Sequence, residues 1–415
     1  MNIAQILTTV AWACSFIMTA YMAYFLIIAV FSVKKPREYP EAEPRTRFAV
    51  LVAARNEEAV IGNLVESLMN QDYPKELYDV IVIPNNCTDN TAEAARAHGA
   101  VILDCTVPVR SKGEVMTFAV QTLLDGEKPY DSIVVFDADN LVHPLYLREM
   151  NNAVAAGVRV AQAYRDSKNP HDTLMSGAYS IYYWMVNQFY SQARSGLNLS
   201  AVVNGSGFMV ELDLLRQWGG WHTQTMTEDI EFTAQCALHG QKVAWVPKAI
   251  TFDEQPLTFA ESWKQRKRWS TGSLQCMERY SGRLARSAVK GNPRSLDSLL
   301  FFLGPVIQVL WLVSLLLGLG FQLMGVDYGF FPATGVFYQL FFSVTTSFLG
   351  TFAAAFLSVL LTGNKVRPML GAMCYYWVFV TTWIPINLLC MVRKTTAWEQ
   401  MSHTRAIRPA QLFGQ

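Results

Sequence analysis

The sequence predicts an α/β domain with a mostly parallel sheet, fused to an α-helical membrane region. Three observations carry that prediction. The chain opens on the uncharged apolar run Ile3–Val33, longer than the roughly 20 residues a bilayer core needs. From Phe48 short apolar runs alternate with amphipathic stretches, the strand–helix alternation that builds parallel sheets through right-handed crossovers. Beyond Arg294 the chain turns apolar three more times, at Leu299–Gly325, Phe331–Leu361 and Met369–Val392, each long enough to cross. Composition agrees, since 51% hydrophobic and 13% aromatic residues in a chain of 415 exceed what a soluble enzyme carries. A net charge of +1 supplies no basic field and argues against a nucleic-acid partner. The seven cysteines are odd in number and scattered without metal or disulfide spacing, so they read as reduced thiols. No internal period marks a repeat array.

The N-terminal run lacks the early positive charge and short apolar core of a signal peptide, so it reads as a membrane helix over residues 1–33. Lys34, Lys35 and Arg37 follow at once and place the next part of the chain in the cytoplasm by the positive-inside rule. Residues 34–47 form a linker, and residues 48–257 the α/β domain. Its opening pattern reads Phe48–Ala54 strand, Val60–Asn70 helix, Tyr78–Pro84 strand, Thr91–His98 helix, Val101–Asp104 strand. Further on come helix Glu114–Leu124, an apolar strand within Ser132–Asn140, helix Pro144–Ala156, strand Val158–Tyr164 and a long aromatic helix Thr173–Arg194. Residues 258–295 form an amphipathic, cationic segment whose Trp263 and Trp269 favour the membrane surface. Residues 296–393 form the C-terminal membrane region, and 394–415 a tail. Three crossings would leave that tail outside, whereas Arg393, Lys394, Arg405 and Arg408 favour the cytoplasm. Either the last segment, with Pro368 before it and Pro385 within it, bends or lies in the interface, or the tail departs from the charge rule.

Several polar clusters sit where such a sheet binds ligands. Ser132–Asn140, an apolar strand ending in Asp137-Ala-Asp139, projects two carboxylates into the crevice beyond the strand. Two hard oxygen ligands suit Mg²⁺ or Mn²⁺ shared with a diphosphate; an acidic turn is the competing reading. Ala54, Asn56 and Glu57 crowd the end of the first strand, either to read a nucleotide base or to begin the next helix. Lys112-Gly113 opens a helix, an arrangement that favours a phosphate but also occurs in plain surface turns. The aromatics Tyr179, Tyr182, Tyr183, Trp184, Phe189 and Tyr190 form either a sugar-stacking wall or a core. Gly205 and Ser206, in Asn204–Phe208, allow backbone to approach an acceptor or make a hairpin turn. Glu228 and Asp229 stand at the start of an expected helix Ile230–His239, where acids are stabilising in themselves, but a carboxylate facing the donor can take a proton from an incoming hydroxyl.

The order Asp137-Ala-Asp139, Thr227-Glu228-Asp229, Gln265-Arg-Lys-Arg268-Trp269, then membrane spans, resembles the membrane-embedded family-2 glycosyltransferases that make β-linked polysaccharides. These include the cellulose, chitin-oligosaccharide, hyaluronan and poly-N-acetylglucosamine synthases. The resemblance implies an A-type glycosyltransferase fold, a UDP-sugar donor, a growing polysaccharide acceptor and catalysis on the cytoplasmic face of the plasma membrane. It implies metal held by Asp137 and Asp139 and a base at Asp229, with Glu228 next to it. It implies that Gln265, Arg268 and Trp269 cup the chain end and touch the donor pyrophosphate. One position departs from the family pattern: Asn85 stands where an Asp that reads uridine is usual. The segment Trp398–Thr404 loosely matches a family element near the channel gate. The second reading is transfer of a single sugar to a lipid carrier, and the third a non-catalytic membrane subunit. The last is disfavoured because buried acids without a use are costly. The sequence leaves open an accessory subunit or a homo-oligomer.

Overall fold

The computed structural model describes residues 3–325, 335–393 and 407–413. Lys394, Arg405 and the segment Trp398–Thr404 lie outside the described residues. Eight strands form one sheet: β1 (Phe48–Ala54), β2 (Tyr78–Pro84), β3 (Val101–Ile102), β4 (Ser132–Asp137), β5 (Leu141–Val142), β6 (Val160–Ser167), β7 (Phe208–Glu211) and β8 (Ala244–Asp253). Their order is β3-β2-β1-β4-β7-β6-β8-β5. The half β3-β2-β1-β4 is parallel, as the strand–helix alternation requires. Beyond it β7 runs antiparallel to both β4 and β6, so the sheet is mixed.

Alternation along β1 builds both cores. Phe48, Val50 and Val52 face the helix Ile61–Met69, while Ala49 and Leu51 face the helices Lys112–Asp125 and Glu228–Leu238. Two expected helices begin earlier than the sequence pattern suggests. Lys112 and Gly113 belong to the first turn of Lys112–Asp125, because Ser111 caps it by accepting from the Glu114 amide. Glu228 and Asp229 are the first two residues of Glu228–Leu238, where the exposed amides favour acids.

The expected single helix Thr173–Arg194 is interrupted. It is α-helical over Leu174–Met185, a π-helix over Val186–Gln192, and α-helical again over Ala193–Ser195. The π segment lets Asn187 turn to β6, where its amide donates to the Arg165 carbonyl at 2.7 Å. Much of the aromatic helix is core: Tyr179, Ile181 and Trp184 pack with Met369, Met373 and Phe379 of the membrane region.

Among the described residues four helices are long and apolar enough to cross a membrane: Gln5–Val33, Gly304–Leu323, Val336–Leu361 and Val366–Val392. The second apolar run does not start at Leu299, because Leu299–Phe302 completes a separate helix, Pro293–Phe302, whose Ser295, Asp297 and Ser298 are buried. The last segment is broken into Val366–Thr381 and Trp383–Val392. Pro385 explains the break, since its ring clashes with the carbonyl four residues back and it has no amide to donate. All seven cysteines are free.

Candidate active site

The acidic pairs meet at one point, on Gly205. A methyl group there would lie 3.4 Å from Asp229 Oδ2, 3.5 Å from Arg165 Nη1 and 3.8 Å from Asp137 Oδ2. Its φ of +88° is left-handed, so glycine serves both the backbone turn and the space the acids need. The loop is braced from beneath. Ser206 is fully buried, its Oγ accepting from the Asp137 amide at 3.1 Å and donating to Asn140 Oδ1. The Ser206 hydroxyl therefore supports Asp137 and does not open toward an acceptor.

Lys112 ties the crevice together. Its ammonium is 2.5 Å from Asp137 Oδ1, 2.7 Å from the Gly205 carbonyl and 3.5 Å from Glu228 Oε1. Burial alone would raise the Asp137 carboxyl, but Lys112, with Arg165 and Arg268 behind it, holds it below the usual carboxylate range. Asp229 goes the other way: burial and the neighbouring Glu228 push it up to about 7, against the pull of Lys112 and Arg165. A carboxylate of that kind is suited to accept a proton near neutral pH.

Three residues with roles in the site escaped the sequence reading. Asp253, at the end of β8, accepts from Asn140 Nδ2 at 2.7 Å and from Arg165 Nε at 2.6 Å. Burial, with Asp139 and Asp137 nearby, raises it to about 6 despite Arg165. Arg165, inside β6, also donates to the Asn204 carbonyl and lies 4.4 Å over the Tyr183 ring. Glu231, fully buried, accepts from the amides of Gln224 and Thr225 at 2.7 Å each and from Tyr280 Oη at 2.7 Å. It anchors the loop that precedes Glu228. An acid at a strand end was the available signal for Asp253; a lone Arg in a strand and a third acid in a helix gave none.

The expected base-reading corner is stitched to itself. Asn85 donates its amide to the carbonyls of Ala54 at 2.9 Å and Ile83 at 3.4 Å. Asn56, with φ +57°, accepts from the Thr88 amide at 2.7 Å, and the Glu57 amide donates to Thr91 Oγ1 at 2.8 Å. The helix that follows, Ile61–Met69, has no side-chain cap and no acid in its first turn; the Glu57 carbonyl accepts from the Val60 and Ile61 amides at its entry, while the side chains of this corner hold two loops together.

On the other side, the helix Phe259–Val289 carries Gln265, Arg268 and Trp269. Arg268 acts on the Asp137 carboxylate. Trp269 lies 6.2 Å from the Tyr182 ring and 6.2 Å from the Trp383 ring, near-parallel to both. The aromatic wall is thus shared by the catalytic domain, this helix and the broken membrane segment. Gln265 Oε1 is buried with no hydrogen-bond partner. Arg266, fully buried, clamps the helix to the break by donating to the Phe379 carbonyl at 2.7 Å and Thr382 Oγ1 at 2.8 Å.

The donor chemistry of the crevice fits a divalent cation. Five carboxylates (Asp137, Asp139, Glu228, Asp229, Asp253) act on one another there, against the cations Lys112, Arg165 and Arg268. Hard oxygens in excess over cations suit Mg²⁺ or Mn²⁺. Among the described residues no three His, Cys, Asp or Glu side chains form a closed metal cage.

Known proteins place the chain. The family model described as glycosyltransferase like family 2 matches residues 44–272, more than half of the sequence. A beta-monoglucosyldiacylglycerol synthase of Nostoc sp. is 29% identical over 311 residues, 71% of this chain and 63% of that protein. A poly-beta-1,6-N-acetyl-D-glucosamine synthase of Staphylococcus epidermidis is 22% identical over 322 residues, 75% of this chain and 72% of that protein. The chain spans 63% or less of the length of the first relatives it matches. In fold it is similar to a mannosyltransferase from Pyrobaculum calidifontis solved with GDP-Man and Mn²⁺. The TM-score is 0.58, over 92% of this chain and 99% of that one, at 19% identity. With its family-2 match, its GT-A-type sheet and its acids gathered at the strand ends, the chain belongs to the family-2 glycosyltransferases.

Proposed function

We propose that the protein is an inverting β-glycosyltransferase that takes sugar from a UDP-sugar, UDP-N-acetylglucosamine or UDP-glucose first, and elongates a polysaccharide passing out through its membrane helices. The observation that carries the reading is the meeting of Asp229, Arg165 and Asp137 on Gly205. Asp229 takes the proton of the acceptor hydroxyl, whose oxygen bonds to the anomeric carbon as the bond to the diphosphate breaks. Lys112 and Arg268 bear on the Asp137 end of the crevice, where the departing diphosphate gathers charge. Bound at Asp137 and Asp139, Mg²⁺ or Mn²⁺ would neutralise that leaving group. Trp269 offers an aromatic face to the acceptor sugar, and the unpaired Gln265 Oε1 a hydrogen-bond acceptor for its hydroxyls. Lys34, Lys35 and Arg37 support a cytoplasmic catalytic domain in the plasma membrane.

Transfer of one sugar to a membrane lipid is the second reading, favoured by the relatives named for a glucosyldiacylglycerol product at 29% identity, against 22–23% for those named for a polymer. Purified membranes incubated with UDP-sugars and GDP-mannose, with Mg²⁺ or Mn²⁺, separate the two. A product that grows in length supports polymerisation. A single sugar in the lipid extract overturns it in favour of the second reading, and no turnover with any donor overturns both.

A further inference from the structure

Away from the catalytic crevice, a cavity of about 450 Å³ lies where the N-terminal membrane helix meets the α/β domain. Its apolar wall is Ile28 of that helix, Leu197 and Leu199 of the loop after the π segment, and Leu296 of the helix Pro293–Phe302. Asn198 and Arg294 form its polar end. The groove is held open by a rigid clamp. Arg194 and Asp297, both buried, pair through two bonds of 2.8 Å, and Tyr24 of the membrane helix donates to the same Asp297 at 2.8 Å.

The polar end is cationic. Lys242 donates to Asn198 Oδ1 at 3.0 Å, which adds a second cation beside Arg294. Burial, Arg37 and Arg294 together hold the Lys242 ammonium below the usual lysine range, so the three positive groups feel one another. Arg294 Nη1 donates to the Gly240 carbonyl at 2.9 Å, but its Nε is buried without a partner. Among the described residues none of the three forms an ion pair. Neighbouring cations without an acid favour an anion. The groove beside them runs along a helix whose flank is apolar and exposed, with Leu26, Ile27 and Val30 each more than 60% accessible.

We propose that this groove binds one anionic phospholipid, with its phosphate at Lys242 and Arg294 and an acyl chain along Ile28, Leu199 and Leu296. A free phosphate would use the cations and leave the apolar wall unexplained; a neutral lipid would use the wall and leave the cations unexplained. The site lies outside the catalytic crevice and does not depend on the transfer reading.

The test titrates the full-length protein in neutral detergent with fluorescent phosphatidylglycerol, then with phosphatidylcholine of the same chains. Tight binding of the first and weak binding of the second is expected. Lys242→Ala with Arg294→Ala should weaken phosphatidylglycerol about 25-fold, about fivefold for each cation removed. Leu199→Trp, which fills the groove and leaves every charge in place, should weaken the long-chain lipid while sparing the six-carbon form. Unchanged melting and gel-filtration profiles keep both variants comparable with wild type. Equal binding of phosphatidylcholine, indifference to both variants, or displacement by millimolar inorganic phosphate would each overturn the proposal, the last by making it a free-anion site.

Discussion

Gly272 of the helix Phe259–Val289 lies directly against Thr227, the residue that precedes Glu228 and Asp229. A Cβ at 272 would stand 2.5 Å from Thr227 Cγ2 and 2.8 Å from its Cβ. The same helix carries Gln265, Arg268 and Trp269, so this one glycine sets the spacing between those residues and Asp229, the proposed base. Gly272→Ala should push the two helices apart, costing about 1–3 kcal/mol of stability as an overpacked contact and lowering transfer by about tenfold or more. Adding Thr227→Ala should restore activity by returning the space. Rates and melting curves of both variants check this, and a fully active Gly272→Ala enzyme would show that the spacing is not critical.

The second prediction concerns the metal. Asp139→Asn should abolish transfer with melting near that of wild type, and EDTA should silence the native enzyme until Mg²⁺ or Mn²⁺ is restored. A fold that fails on substitution would make Asp139 structural, and activity in EDTA would remove the metal.

The third concerns protonation. With no metal bound, Asp229 sits near 7 against an ordinary value of 3.8, so between these values the folded state holds a proton that the unfolded chain has lost. Its contribution to stability is therefore present at low pH and is lost as pH rises toward about 7. Transfer should move oppositely, rising through about 7 as the base form appears. Asp229→Asn should melt higher than wild type above pH 7, measured in EDTA, while transfer falls by about 10²-fold or more. Asp253, near 6, leaves a residual slope in that variant. Wild-type stability that does not change over this window would contradict the raised value.

The fourth separates acceptor from donor. Trp269 packs its ring beside those of Tyr182, Tyr183, Tyr179 and Trp383, whereas Arg268 acts on Asp137. Trp269→Ala should give short products or donor hydrolysis with donor affinity nearly unchanged, because a ring offers its apolar face to sugar and not to diphosphate. Arg268→Ala should weaken donor binding as well. Product length on a gel beside donor titration reads both, and full-length polymer from Trp269→Ala would remove its acceptor role.

Much of this protein is local and therefore written in the chain. The short unbroken apolar run Phe48–Ala54, set before an amphipathic stretch, and the long uncharged run from Ile3 specify strand and membrane helix through length and context. Asp137-Ala-Asp139 and Thr227-Glu228-Asp229 announce themselves because acids follow apolar strand or open a helix. What only the tertiary structure decided is distance. Asp253 joins the crevice because β8 lies beside β6 and brings it to Arg165, 88 residues away in sequence. The rise of Asp229 depends on burial, and the fall of Asp137 on an ammonium 25 residues upstream. The π segment and the clamp of Arg266 on Phe379 arise where helices from different regions pack, whereas the break at Pro385 is written in the chain. Side-chain periodicity carries the direction in which a residue points, but electrostatics falls off with separation in space, and that separation is set by folding.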